Sequence, residues 1–222
     1  MSERYFSRIT LRADASATSS FWKVFRDPYS LHKSIWSLFS DGPDRTRDFL
    51  YHLADTQRPP VIYAVSARSP LVADACWQVS VKEYQPRLTP GMRLEFSLRA
   101  NPVVTRNGKR HDVVMDAKRA QREILNNDRV PSTEAESVQE ACGQWLVKRA
   151  ELCGFRHVAV RADGYRQHYF SKHKQKEPVK FSTVDFTGML EVLDPDRLRK
   201  TLYEGIGHAK GLGCGLMLIR RC

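Results

Sequence analysis

The chain has 222 residues, 41% of them hydrophobic, which is enough apolar material for one large or two small cores and too much for a disordered segment. Its net charge is +11 and its pI is near 9.6, a balance that favours polyanions, nucleic acid first, over neutral or acidic partners. No apolar run approaches the ~18–20 residues of a membrane span, the charged start MSERYFSRITLRAD lacks the apolar core of a signal peptide, and five cysteines without a C-x-x-C pair argue against a disulfide framework and a zinc site, fitting reduced thiols in a cytoplasmic protein.

Residues 4–12 read as a strand with Tyr5, Ile9 and Leu11 on one face. A helix is expected over 28–39: Pro28 suits its first turn, and Leu31, Ile35, Leu38 and Phe39 repeat at helical spacing. A second short helix is expected over 43–54, with Phe49, Leu50 and Leu53 inward. QRPP breaks the chain, and VIYAVSA and CWQVSVKEY read as strands. The turn-rich QPRLTPG (85–91) marks a boundary between a first domain, 1–88, and a second, 89–222. RLEFSLRA alternates as a strand, 105–131 is a long polar stretch, and a helix covers 134–152. Thr133 and Glu136 form its capping box, Val138, Ala141, Cys142, Trp145 and Leu146 its apolar stripe, and Gly154 its stop. Then come a strand FRHVAVRA, a basic loop, a long strand VKFSTVDFTGMLEVL, a short helix opened by Asp194 and Pro195, a glycine-rich loop and a last strand LMLI.

The second half thus has the strand–helix–strand–strand–helix–strand order of a ferredoxin-like unit, and the first half reads as an incomplete version, short of a second helix and a fourth strand. The fold class is α+β, with two tandem ferredoxin-like domains of antiparallel sheet backed by helices. Charge leans on the second half: net +3 over 1–95 and +8 over 96–222.

GIGHAKGLGCG (205–215) holds five of the twelve glycines. Such density means close backbone approach or positive φ. It is not a dinucleotide fingerprint, because Lys210 stands where the third glycine belongs, and the P-loop pattern is absent. The loop also follows a helix and precedes a strand, the reverse of both motifs. A helix cap and a turn account for one or two glycines only. Exposed backbone N–H groups with Lys210 among them suit the phosphate oxygens of an RNA backbone.

Gly205, Gly207, Lys210, Gly213 and Gly215 follow the pattern G-hydrophobic-G, five residues containing Lys or Arg, G-x-G. That pattern resembles the glycine-rich loop of the CRISPR-associated RAMP proteins, whose architecture is also two tandem ferredoxin-like units. DPYSLHKSIWSLFSDGPDRTRDFLYHL resembles the Y-x-x-H helix and the R-D-F-L-[FY]-H segment of type I-E CRISPR RNA-processing endoribonucleases, the CasE family. LRANPV (98–103) and FTGMLEV (186–192) resemble segments of the same family, and the likeness runs from residue 4 to 220. The resemblance implies a metal-independent endoribonuclease specific for CRISPR repeat hairpins. It would cut precursor RNA by 2′-OH attack, leaving a 2′,3′-cyclic phosphate (or 3′-phosphate) and a 5′-OH, and stay on the crRNA 3′ hairpin among the other Cascade subunits. It implies no cofactor, no metal and no membrane. The alternative is a non-catalytic RAMP subunit that scaffolds guide RNA.

Tyr29 and His32 share a helix face, and the resemblance makes them the catalytic pair. RNA carries its own nucleophile, so an enzyme need only take the 2′-OH proton and protonate the departing 5′-oxygen. Histidine does either near neutral pH. From the residues alone His32 is one of seven histidines, and Tyr51 with His52 is a competing pair. Lys33 adjoins the pair. Two segments read as RNA grips: TRNGKRH (105–111), with Arg106, Lys109, Arg110 and His111, and YRQHYFSKHKQKEPVK (165–180), with Arg166, Lys172, Lys174, Lys176 and Lys180. The resemblance places the second grip near the scissile phosphate, making Lys172, Lys174 and Lys176 candidates for stabilising transition-state charge. The glycine loop is expected to hold RNA backbone away from the site of chemistry.

Overall fold

A computed structural model describes residues 3–12, 24–39, 42, 45–54, 60–71, 76–124, 133–171 and 178–222. Two four-stranded antiparallel sheets build it. The first contains β1 (Tyr5–Leu11), β2 (Phe49–Ala54), β3 (Val61–Ser66) and β4 (Trp77–Glu83), in the order β2-β3-β1-β4. The second contains β5 (Arg93–Ala100), β8 (Phe155–Phe170), β9 (Val179–Val192) and β10 (Met217–Arg221), in the order β10-β5-β9-β8. Both orders are those of a ferredoxin-like unit, so the molecule is two such units in tandem. No helix among the described residues is long and apolar enough to cross a membrane.

The first unit has its fourth strand, contrary to expectation: β4 lies beside β1, with Tyr5 opposite Glu83 and Leu11 opposite Trp77. Among the described residues no helix stands between β3 and β4. The helix expected over 43–54 is instead the edge strand β2, paired with β3 from Phe49↔Ser66 to Ala54↔Val61. The misreading has a physical cause. β2 is buried on both faces, so apolar residues run consecutively and lose the alternation of a half-buried strand. Phe49 and Tyr51 enter the core under the helix α1 (Pro28–Trp36), with Ile9, Leu31, Ile35, Ile62 and Trp77. Leu50 faces the other way, into a cluster with Val65 of β3 and Leu216 of the second unit.

α1 starts where an Asp-Pro pair starts it. Asp27 accepts hydrogen bonds from the Tyr29 and Ser30 amides at 3.0 and 2.9 Å and from the Ser30 hydroxyl at 2.8 Å, while Pro28 fills the first turn, where no amide is needed. Leu31 and Ile35 bury its inner face, and the Trp77 indole N–H donates to Ser34 Oγ at 3.0 Å, pinning helix to sheet.

In the second unit, the long polar stretch holds two further strands and a helix. β6 (Val103–Arg106) and β7 (Lys109–Asp112) make a hairpin whose turn is Asn107–Gly108, both at positive φ (51° and 74°), the geometry that matches strand twist in two-residue hairpins. Asp112 then caps α2 (Val113–Ile124), accepting from the Val114 and Met115 amides. α3 (Glu134–Ala150) carries the expected capping box, Thr133 and Glu136 bonding each other's amides. α4 (Pro195–Glu204) repeats the Asp-Pro start, with Asp194 accepting from Asp196 and Arg197. Leu146, Leu190, Leu198 and Leu202 are fully buried in this unit's core.

β8 is twice as long as expected. It continues through bulges near Val158 and Gly164 to Phe170, so the first part of the basic segment is strand, paired with β9 as far as Phe170↔Val179. The β8–β9 hairpin therefore reaches past its own core to α1 of the first unit.

Candidate active site

The site forms where three segments from both units meet. α1 supplies Tyr29, His32 and Lys33. The far end of β8 supplies Phe170, whose ring lies parallel to that of Tyr29 (4°, centroids 5.6 Å apart). The loop between α4 and β10 supplies a 3₁₀ turn, Lys210–Leu212, that packs on α1 and β2.

Tyr29 and His32 stack loosely, with ring centroids 6.4 Å apart, and Trp36 continues the row at 5.7 Å from His32. The Lys33 ammonium lies 5.1 Å over the Tyr29 ring, an attraction between cation and ring face. Tyr29 and His32 are partly exposed and Lys33 is exposed. His32 turns the Cε1–Nδ1 edge of its imidazole towards Gly211, and Nδ1 is buried. Tyr51 and His52 do not form a rival pair. On a strand adjacent side chains point to opposite faces, and Tyr51 is buried beneath the glycine loop with its hydroxyl 3.4 Å from the Gly211 carbonyl. Burial drives the Tyr51 phenol far above its ordinary pKa, so it acts as a neutral support.

The glycine loop corrects one expectation. Gly205, Gly207, Gly213 and Gly215 all have positive φ (76°, 79°, 80° and 92°) and face protein. At Gly213 a Cβ would lie 3.0 Å from the Tyr51 ring. Four of its amides are taken: the N–H groups of Gly205, Ile206, Leu212 and Gly215 donate to the carbonyls of Thr201, Gly215, Ala209 and Arg99. The Lys210 ammonium donates to the Glu204 carbonyl at 2.6 Å. The loop closes the end of α4 and presses one turn against His32, because compact packing leaves no room for side chains. It borders the site from which the sequence reading had separated it.

The other basic residues fall into three groups. Lys109 and Arg110 are exposed at the β6–β7 turn, and Arg106 forms a forked pair with Asp116 (2.6 and 2.7 Å), whose carboxyl that bond holds below the usual range. Arg166 is exposed on β8, opposite Thr183. Lys172, Lys174 and Lys176 lie outside the described residues.

Between the hairpin and α1 the cations crowd. Burial first, then Arg110, Lys210 and Arg149, lower the pKa of His208; burial first, then Arg47, lowers that of Lys210, against an opposing pull from Glu204. Arg110, His208, Lys210 and Arg47 thus form a path of groups that repel one another when charged, running from the hairpin towards the Gly211 turn beside His32. An anion laid along it would relieve that repulsion. Arg47, Gly211 and Phe170 escaped the sequence reading. The density of glycine was the available signal for Gly211, and Arg47 opens the R-D-F-L-[FY]-H segment; no local pattern marks Phe170, which tertiary packing brings in.

Relatives agree with this architecture. The chain is 33% identical over 196 residues to the "CRISPR system Cascade subunit CasE" of Escherichia coli, covering 86% of this chain and 91% of the relative. It is 29% identical over 211 residues to the "CRISPR-associated endoribonuclease Cse3" of Thermus thermophilus, covering 87% and 90%. The solved structure of Thermus thermophilus Cse3 "bound to an RNA representing a pre-cleavage complex" superposes with a TM-score of 0.73 at 27% identity, over 98% of this chain and 99% of that one. The family described as "CRISPR associated protein" matches residues 4–221. With nearly every residue inside that match, and two ferredoxin-like units meeting at a Tyr–His helix, the chain belongs to the CRISPR-associated protein family.

Proposed function

We propose that this chain is an endoribonuclease that cleaves CRISPR precursor RNA within repeat hairpins and remains on the hairpin as a Cascade subunit in the cytoplasm. The carrying observation is the seam itself: Tyr29 and His32 of one unit, bounded by Phe170 and the Gly211 turn of the other, at the end of a cationic path. The names of the relatives, an endoribonuclease and a Cascade subunit, support the same reading.

The chemistry needs no group beyond RNA and protein. The ribose 2′-oxygen attacks the adjacent phosphorus; the O2′–P bond forms as the P–O5′ bond breaks. The 2′-OH proton leaves to a base, and a proton is delivered to O5′. His32 performs one of these transfers through Nε2, since Nδ1 is buried. Tyr29, held by the stack on Phe170, orients the ribose or shares the proton transfer. Lys33, Lys109, Arg110, Arg166 and Lys210 hold phosphates, with Lys172, Lys174 and Lys176 proposed for the same task. Arg106 joins them on release from Asp116. Residues 1–88 would then carry the chemistry and 89–222 most of the grip on the stem, which A-form geometry restricts largely to shape and phosphate contacts.

The test is a labelled repeat hairpin from the array cognate to this chain, incubated in EDTA with wild type and with His32→Ala. Cleavage by wild type alone supports the reading. Tight binding without cleavage by wild type replaces it with a guide-RNA scaffold, and cleavage by His32→Ala moves the chemistry elsewhere.

A further inference from the structure

The guanidinium of Arg47 is placed where the reading above leaves a chemical need unmet. A Cβ added at Gly211 would lie 3.1 Å from Arg47 Nη1 and 3.6 Å from His32 Cε1, so both side chains pack against the same face of this glycine. Other arginines are spent on carboxylates: Arg99 on Asp185, Arg156 on Glu191, Arg68 and Arg45 on Asp48. Asp48 is the chain neighbour of Arg47 and is already shared by two other guanidinium groups. Among the described residues no carboxylate pairs with Arg47, although desolvation lowers its pKa and Lys210 stands close by. An exposed guanidinium that no described carboxylate neutralises, beside another cation, is available to an incoming anion.

We propose that Arg47 is a further catalytic residue, its guanidinium donating to a non-bridging oxygen of the phosphate on which His32 acts. The inference rests on the assignment of chemistry to His32. The pentacoordinate phosphorane carries more negative charge on its non-bridging oxygens than the ground-state diester. A donor held beside the reacting phosphate therefore favours the transition state over bound substrate. A fork of planar N–H groups suits this task better than an ammonium. Gly211 belongs to the same device, since a Cβ there would press on Arg47 Nη1 at 3.1 Å and push the guanidinium from its place.

Single-turnover cleavage of the cognate repeat hairpin tests this with Arg47→Gln, His32→Ala and wild type. Affinity is read separately on a hairpin with 2′-deoxy sugar at the cut site. Arg47→Gln is expected to cut about 100-fold more slowly, the scale of losing one such donor, with Kd changed by less than about threefold. A sulfur replacing one non-bridging oxygen adds a readout that a merely structural role would not move. Wild type should discriminate between the two phosphorothioate diastereomers, and Arg47→Gln should lose that discrimination. A rate within about threefold of wild type overturns the proposal, as does a rate loss matched by an equal loss of affinity. Should the variant fail to fold, wild-type indifference to both diastereomers overturns it unaided. Loss of cleavage in His32→Ala beside full activity in Arg47→Gln sinks this inference alone; full activity in His32→Ala sinks the reading beneath it.

Discussion

Replacing Asp27 with alanine removes the cap of the helix that carries Tyr29 and His32. The carboxylate satisfies two of the first-turn amides, at 3.0 and 2.9 Å, and anchors the Ser30 hydroxyl at 2.8 Å. Losing a cap of this kind costs ~1 kcal/mol, up to ~2. In a chain of this length each kcal/mol shifts Tm by ~2–4 °C, so Asp27→Ala should melt ~2–8 °C below wild type. The loss falls on function as well, since a helix of only nine residues has little stability of its own and Tyr29 sits in the turn that frays. Cleavage should slow several-fold. Asp27→Asn is the control: it keeps an acceptor oxygen and should lie much nearer wild type. The exposed Arg26 partner at 3.5 Å adds little. Burial pushes the Asp27 carboxyl up, but hydrogen bonds from the Ser30 amide and hydroxyl and the Tyr29 amide outweigh it and hold the pKa below the usual range. The charged cap therefore stabilises above the ordinary carboxylate value near ~4 and is lost as pH falls through the lower folded value, a dependence absent from Asp27→Asn. Differential scanning calorimetry at pH 7 reads the result. Equal melting of Asp27→Ala and wild type, or of the Ala and Asn variants, refutes the capping argument.

Gly213→Ala forces a side chain into positive φ, a cost of ~1–3 kcal/mol, and sets its Cβ 3.0 Å from the Tyr51 ring. Its urea midpoint should fall and its cleavage rate drop, because the turn beside His32 must shift; an unchanged midpoint contradicts the packing described here. The half-buried His168 has its pKa lowered by burial first, then by Arg99 and Arg166, against Asp185, so the fold favours the neutral ring. Below ~6.5 the unfolded chain takes up the proton that the folded one resists. Stability should decline as pH falls from ~6.5 towards the folded value, and urea titrations at pH 7.5 and 5.5 should show a smaller decline in His168→Gln than in wild type. Identical declines would refute this assignment.

Local chemistry made much of this protein legible in one dimension. Asp27-Pro28 and Asp194-Pro195 each announce a helix start, and Thr133 with Glu136 announces a third, because a cap depends only on residues within one turn. The four glycines of the pattern were readable as backbone at positive φ for the same reason. Asn107-Gly108 lies in TRNGKRH, legible as a turn, although the short strands on either side of it are not. What local pattern could not decide was burial from two sides. Phe49, Leu50 and Tyr51 look helical until both faces of β2 are covered, one by α1 and one by the second unit. The same holds for the site. Tyr29 and His32 are three residues apart and belong together on any helix, whereas Phe170 and Gly211 reach them from far along the chain. Residue types and spacings thus determined the caps and the turns, and set Tyr29 and His32 on one helix face, while the family resemblance singled that pair out. Only the packing of one ferredoxin-like unit against the other decided which aromatic ring and which glycine border the Tyr–His pair, because contacts between distant segments leave no periodicity in the sequence.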